Sequence, residues 1–275
     1  MKQFFLMAAA GLTIAATSST SKENTISLPQ QFTVQLDDVR TVPLKEIVAQ
    51  SFPNPYFHFI YDSLQYVRQI SFAAGFTVYN VEYDKKRVIK MTNNSNGNFL
   101  LYSYQNNQVS EINEFAGLTG NKIFSYRFSY NESNQLTQVR WFDFSYDCNG
   151  SLFKKLELTY QTDGNLSAID HYSIAADQVA WVKTVQFSDY DNKTNVDDFY
   201  LLEDFFDTYL FLPQVKLQRN NPLKQQVIGP DNDFEILYTY QYRDNLPVKK
   251  TGRLTHANGI TNGQPGEINS LFNYY

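Results

Sequence analysis

One spacing recurs along this chain and limits what it can fold into. Tyr61 leads to Val67 and Ile70, Tyr83 to Val88 and Met91, Tyr104 to Val109 and Ile112, Tyr130 to Leu136 and Val139, and Tyr160 to Leu166 and Ile169. Each unit reads tyrosine, four or five residues, Val or Leu, two residues, then an apolar residue. From tyrosine to tyrosine the steps are 22, 21, 26 and 30 residues, a length that holds one hairpin and a connection. The intervening turns are Asp84-Lys85-Lys86, Gln105-Asn106-Asn107, Asn131-Glu132-Ser133-Asn134 and Thr162-Asp163-Gly164-Asn165. These residue types tolerate positive φ or hydrogen-bond their own backbone.

The segments before the turns alternate. Phe124, Tyr126, Phe128 and Tyr130 fall on one face, with Ser125, Arg127 and Ser129 on the other. Ile236, Tyr238, Tyr240 and Tyr242 repeat the pattern, as do Leu156, Leu158 and Tyr160. A period of two marks a half-buried strand, and an aromatic content of 16% suits pleated surfaces. A sixth unit, Tyr242 to Val248, has the tyrosine and the turn but departs from the downstream spacing; its Pro247 calls for an edge or a bulge. Between units five and six, Ser188 to Asp233 leaves the meander. There Phe199, Leu202, Phe206 and Tyr209 stand at helical spacing behind Asp197 and Asp198, which predicts a short helix over 197–210.

The expected fold is all-β: an antiparallel meander of about 12 strands, as a curved sheet or barrel-like roll with its aromatic face inside. It occupies 56–275 as a single domain. Residues 21–55, with Pro29, Pro43, Pro53 and Pro55, read as an extended lead-in with one helical turn at Leu44 to Val48. Residues 1–20 read as a signal peptide: Lys2, an apolar run from Phe4 to Ala16, then small polar residues. That run is too short to span a bilayer, and no later stretch is long and apolar enough for a helical membrane span.

The strand-end tyrosines and turns, the segment Tyr190-Asp191-Asn192-Lys193-Thr194-Asn195, the later Arg219-Asn220-Asn221-Pro222, and Tyr238 through Pro247 resemble, in that order, an uncharacterised family of exported Gram-negative bacterial proteins with a porin-like fold. The resemblance covers residues 56 to 252. It implies a β-rich, many-stranded exported protein, often lipid-anchored, with no assigned activity. This chain departs from the family at Val196, where the family has proline, and in lacking a lipobox cysteine. Thr17 follows Ala16, so a lipid anchor is not expected.

The net charge of −5 leaves no electrostatic footprint for nucleic acid. One cysteine, Cys148, and three scattered histidines, His58, His171 and His256, supply no zinc set, and Cys148 reads as a spectator thiol. Asp189, Asp191, Asp197, Asp198, Glu203, Asp204 and Asp207 suggest calcium, but Lys193, Thr194 and Tyr200 break the helix-loop-helix pattern, so a solvated loop with a helix cap is expected. Trp141 and Trp181 are candidate sugar platforms, with core or rim packing as the expected role. His171 comes with no nucleophile elbow. The expectation is therefore a non-enzyme with no catalytic residues, metal or cofactor: an exported, periplasmic or extracellular scaffold or binding module of unknown binding site, whose partner class is a glycan or an envelope protein. The alternatives are an outer-membrane β-barrel and a glycan-degradation accessory protein. A barrel in lipid is disfavoured because Glu111 and Glu114, like Arg140 and Asp143, put charge on both faces of one strand; the C-terminal Tyr275 is the one feature for insertion.

Overall fold

The computed structural model describes residues 43–275 apart from 147, 177, 200, 203–207, 214, 231–232 and 259–265, with backbone alone at 256–258. The signal peptide and most of the lead-in lie outside the described residues. The described residues form a closed antiparallel barrel of 16 strands in sequential order, sealed where β1 (Leu44–Ala49) pairs with both β16 (Glu267–Tyr274) and β2 (Phe57–Tyr61). The meander expected from the sequence is there, with more strands and full closure. Closure also decides Leu44 to Val48. These residues are a strand and not a helical turn, because β1 supplies the pairing edge between the two ends of the sheet.

The repeat spacing has a structural cause. The tyrosines end β2, β4 (Thr77–Asp84), β6 (Phe99–Gln105), β8 (Lys122–Tyr130) and β10 (Ser151–Tyr160), and each marks a register shift against the return strand. Ile60 pairs with Gln69 while Tyr61 pairs with Val67, which leaves Arg68 as an extra residue. The same two-against-one step leaves out Ile89, Ser110, Thr137 and Ser167 on β5 (Arg87–Asn93), β7 (Gln108–Phe115), β9 (Leu136–Asp143) and β11 (Leu166–Ala175). In an unbroken strand, positions i and i+3 face opposite ways. With one bulged residue between them, both face inward. Hence Val88 and Met91, Val109 and Ile112, Leu136 and Val139, and Leu166 and Ile169 are all at most 1% exposed.

The sixth unit follows the same rule. Gln241 pairs with Lys249 and Tyr242 with Pro247, so Val248 is the extra residue between β14 (Asp233–Arg243) and β15 (Leu246–Asn258). Pro247 sits at a bulge inside a closed sheet, and the spacing is intact. What departs is the residue type: the inward apolar position is filled by Lys250.

The tyrosines also tie hairpin to hairpin. Tyr61 donates to the Leu44 carbonyl, Tyr83 to Val67, Tyr104 to Val88, Tyr130 to Val109, Tyr160 to Leu136, Tyr190 to Leu166, Tyr240 to Pro222 and Tyr274 to Pro247, at 2.6–3.1 Å. Donors lie on even-numbered strands and acceptors on odd-numbered ones, so the ring passes around one whole end of the barrel. Burial pushes these phenols up, Tyr104 to about 12, because a phenolate would lose its hydration there.

Candidate functional site

A pore-forming barrel keeps a wet lumen. Here the described residues of the connection between β12 (Gln178–Thr194) and β13 (Asn220–Ile228), 195–219, enter at the tyrosine-ring end and pack into the lumen. Leu202, Tyr209, Leu210 and Leu217 are at most 3% exposed. Phe199 meets the rings of Phe57 and Phe59 at 5.0 and 5.1 Å, and Tyr209 meets Phe72 at 4.6 Å. Tyr102 donates to the Phe211 carbonyl at 2.9 Å, and Thr208 donates to Glu114 at 2.9 Å. The described residues of 197–210 are turn and irregular chain, not helix, and the rest of that stretch lies outside the described residues. Apolar side chains at helical spacing suit this segment because the barrel wall surrounds it and no single stripe is needed.

At Asp197 and Asp198 the acidic stretch is buried and not a solvated loop. Asp197 and Asp198 are each 2% exposed. Asp197 Oδ2 lies 2.9 Å from Nζ of Lys250, itself 0% exposed, and that ammonium also stands over the rings of Tyr238 and Tyr240 at 4.7 and 5.8 Å. Asp198 pairs with Lys216 at 3.0 Å and accepts the Leu217 N–H at 3.0 Å. Burial pulls Lys250 down while Asp197 holds it up; burial pushes Asp198 up while Lys216 opposes. Each carboxylate thus carries a cation, as buried charge requires. Asp189 is exposed, Asp191 lies in the hydrogen-bond network below, and Glu203, Asp204 and Asp207 lie outside the described residues.

Where the lumen segment leaves and rejoins the wall, amides close the base. Asn165 Oδ1 accepts the N–H groups of Arg219 and Asn220 at 3.0 and 3.1 Å. Asp191 accepts the N–H groups of Lys193 and Asn221 at 2.9 and 3.1 Å, and the Tyr242 hydroxyl as well. The segments Tyr190–Asn195 and Arg219–Pro222, singled out in the sequence, therefore meet in space as the collar of the plug. Lys250 escaped the sequence reading. Its signal was a lysine standing three residues past Pro247, where every earlier unit has an apolar side chain.

The remaining candidates separate. Trp141 is 2% exposed and packs edge-on to Tyr126 at 6.1 Å, so it is core. Trp181 is 43% exposed on the β11–β12 hairpin. His171 is 5% exposed in the wall, and Cys148 is exposed in a turn. Glu114 faces inward and accepts the Tyr126 hydroxyl at 2.8 Å, while Glu111 faces outward and pairs with Arg127 at 2.8 Å. Charges recur around the outer wall: Glu46 on β1, Glu82 with Lys90 at 3.1 Å, Lys155 with Glu157 at 2.9 Å, and Lys224 with Glu235. Among the described residues no helix is long and apolar enough to cross a membrane, which bears on helices alone.

Similar structures share this architecture. A porin-like protein from Bacteroides uniformis ATCC 8492 superposes with a TM-score of 0.54 at 14% identity, covering 80% of this chain and 89% of its own. A porin-like protein from Bacteroides vulgatus ATCC 8482 gives 0.57 at 12% identity, covering 84% and 98%. The fold is porin-like. At these identities the likeness shows the fold alone. No protein-family model matches the chain, and no curated protein matches it.

Proposed function

We propose that this chain is an exported, non-enzymatic barrel that stands in water, closed by its own plug, and works as a scaffold or binding module through its rim hairpins. The observation that carries this reading is the placement of polarity. A lipid-inserted barrel faces apolar side chains outward around a polar lumen, and each Lys or Arg on its outer face costs about 2–4 kcal/mol at the bilayer midplane. In this chain the apolar side chains fill the lumen and paired charges recur on the outer wall. The buried Asp197–Lys250 pair supports a permanently seated plug, because withdrawing the segment would strand a charge in an apolar lumen. Export rests on the leader-like residues 1–20 and release on Thr17 at the position of a lipid-bearing cysteine.

The outer-membrane reading is favoured by the porin-like likeness. Fractionation of a Gram-negative host, a heat-modifiability gel and conductance across a planar bilayer separate the two. The expected outcome is aqueous-phase protein with no conductance; a membrane fraction that conducts ions would overturn the proposal.

A further inference from the structure

One line of outer-wall residues crosses five strands in a single register. Arg127 on β8 pairs with Arg140 on β9, Arg140 with Lys155 on β10, Lys155 with Tyr172 on β11, and Tyr172 with Trp181 on β12. The residues beside them along the strands, Tyr126, Phe128, Val139, Trp141, Leu156 and His171, are buried, so by alternation the first four members of the line face outward. Neighbouring strands lie about 4.8 Å apart, and the four steps of the line span roughly 19 Å. It presents three cations and then two aromatic rings.

Like charges directly opposite each other destabilise a sheet, and here two such pairs follow in succession. The outer two cations are compensated. Arg127 pairs with Glu111 at 2.8 Å and stands over the Phe142 ring at 4.3 Å, while Lys155 pairs with Glu157 at 2.9 Å and stands over the Tyr172 ring at 4.3 Å. The middle cation is not. Arg140 makes no ion pair among the described residues, and its Nε is shielded from solvent and meets no acceptor. The fold alone gives no reason to set a guanidinium between two other cations; an anion lying on the row does.

The rest of the line narrows what carries that anion. From β8 to β11 each strand is paired on both sides at these positions, so no backbone edge is offered to a peptide strand. A lone inorganic anion would use Arg140 and leave the rings idle. Trp181 is 43% exposed and its indole is held in place by Nε1 donating to Thr184 Oγ1 at 3.0 Å. A fixed apolar ring beside a line of cations matches a ligand that has both an apolar C–H face and acid groups, which is an acidic sugar. We infer that this row binds an acidic oligosaccharide laid across the strands, with a carboxylate or sulfate group on the Arg140 guanidinium and a sugar ring against Trp181. The planar guanidinium can give two parallel N–H bonds to either acid group. The inference rests on the reading above that the outer wall stands in water.

The chain has two tryptophans, and because Trp141 is core, solvent-sensitive fluorescence reports on Trp181. Titration with an oligogalacturonate tetrasaccharide, which carries carboxylates, or a heparin tetrasaccharide, which carries sulfates, should shift that emission with a dissociation constant of about 10 μM to 1 mM, weaker as salt is added. Binding of either supports the inference, and the tighter probe names the acid group. Neutral maltotetraose should bind at least about tenfold more weakly. Arg140→Gln should weaken acidic-probe binding at least about tenfold while its urea midpoint stays level or rises, because a repulsion is removed; a merely structural arginine would lower the midpoint. By calorimetry, Trp181→Ala should also lose affinity, and Lys86→Gln on the β4–β5 turn should keep it. Equal binding of maltotetraose, unchanged affinity or a lowered midpoint in Arg140→Gln, equal losses in Lys86→Gln, or equally tight binding of anionic lipid vesicles or single-stranded DNA would each overturn the inference. A barrel that conducts ions across a bilayer would overturn the reading above and this inference with it, whereas a water-soluble chain that binds neither acidic probe would overturn this inference alone.

Discussion

Lys250 occupies a position that the repeat reserves for apolar side chains, and its charge is offset by Asp197, which arrives from the plug. Removing one member leaves the other charge buried without its ion pair. Lys250→Met or Asp197→Leu by itself should therefore cost about 3–5 kcal/mol in urea melts. The double variant should recover most of that loss, since an apolar pair fills the space with no charge to desolvate; additive losses would show that the two residues do not act as a pair. The ring tyrosines carry a different lesson. Tyr130 gives the core a ring and gives Val109 a hydrogen bond of 2.9 Å. Tyr130→Phe should cost about 1–2 kcal/mol through the orphaned carbonyl, Tyr130→Ala about 3–5, and Ser129→Ala on the outer face within about 0.5. Equal losses for Tyr130→Phe and Ser129→Ala would mean that the hydroxyl bond contributes nothing.

At the scale of the element, the bulge is what the repeat encodes. Deleting Thr137 would leave Leu136 and Val139 two positions apart in an unbroken strand, both still inward, whereas inserting an alanine beside Thr137 would send one of them outward, so the insertion should destabilise far more than the deletion, by several kcal/mol. Comparable urea midpoints for the two variants would remove the bulge from the explanation. This geometry was legible in the sequence because tyrosine, turn and the Val-x-x-apolar step are local: each unit is one hairpin whose periodicity appears within ten or so residues. The plug was not legible for the opposite reason. Its partners are Phe57, Phe72, Tyr102, Glu114 and Lys250, dispersed over most of the barrel, and no local period announces a segment wrapped by wall on every side. Acidic residues followed by apolar ones at helical spacing imitate an amphipathic helix, and only closure of the sheet turns Asp197 and Asp198 from surface to interior.

Across the whole molecule, the tyrosine ring couples stability to alkaline pH. Phenols at eight positions donate to carbonyls of the neighbouring hairpin, and a phenolate could not. Burial raises their folded-state values above the ordinary value of 10.0, Tyr104 to about 12 and Tyr130, Tyr160 and Tyr190 also upward. Between the unfolded value and the folded one, the unfolded chain has released protons that the barrel keeps, so fewer protons are bound in the unfolded state and stability falls as pH rises. The contribution is fully present below about pH 10 and is lost above it. Because the phenols share one closed ring, the losses add in a single structural unit. An alkaline titration followed by tyrosinate absorbance and far-ultraviolet circular dichroism should show the ring ionising together with loss of the β signal, in one steep transition. Ring phenols that ionise near pH 10 while the β signal stays intact would show that solvent reaches the ring, and would break the link drawn between the hydroxyl bonds and the closed barrel end.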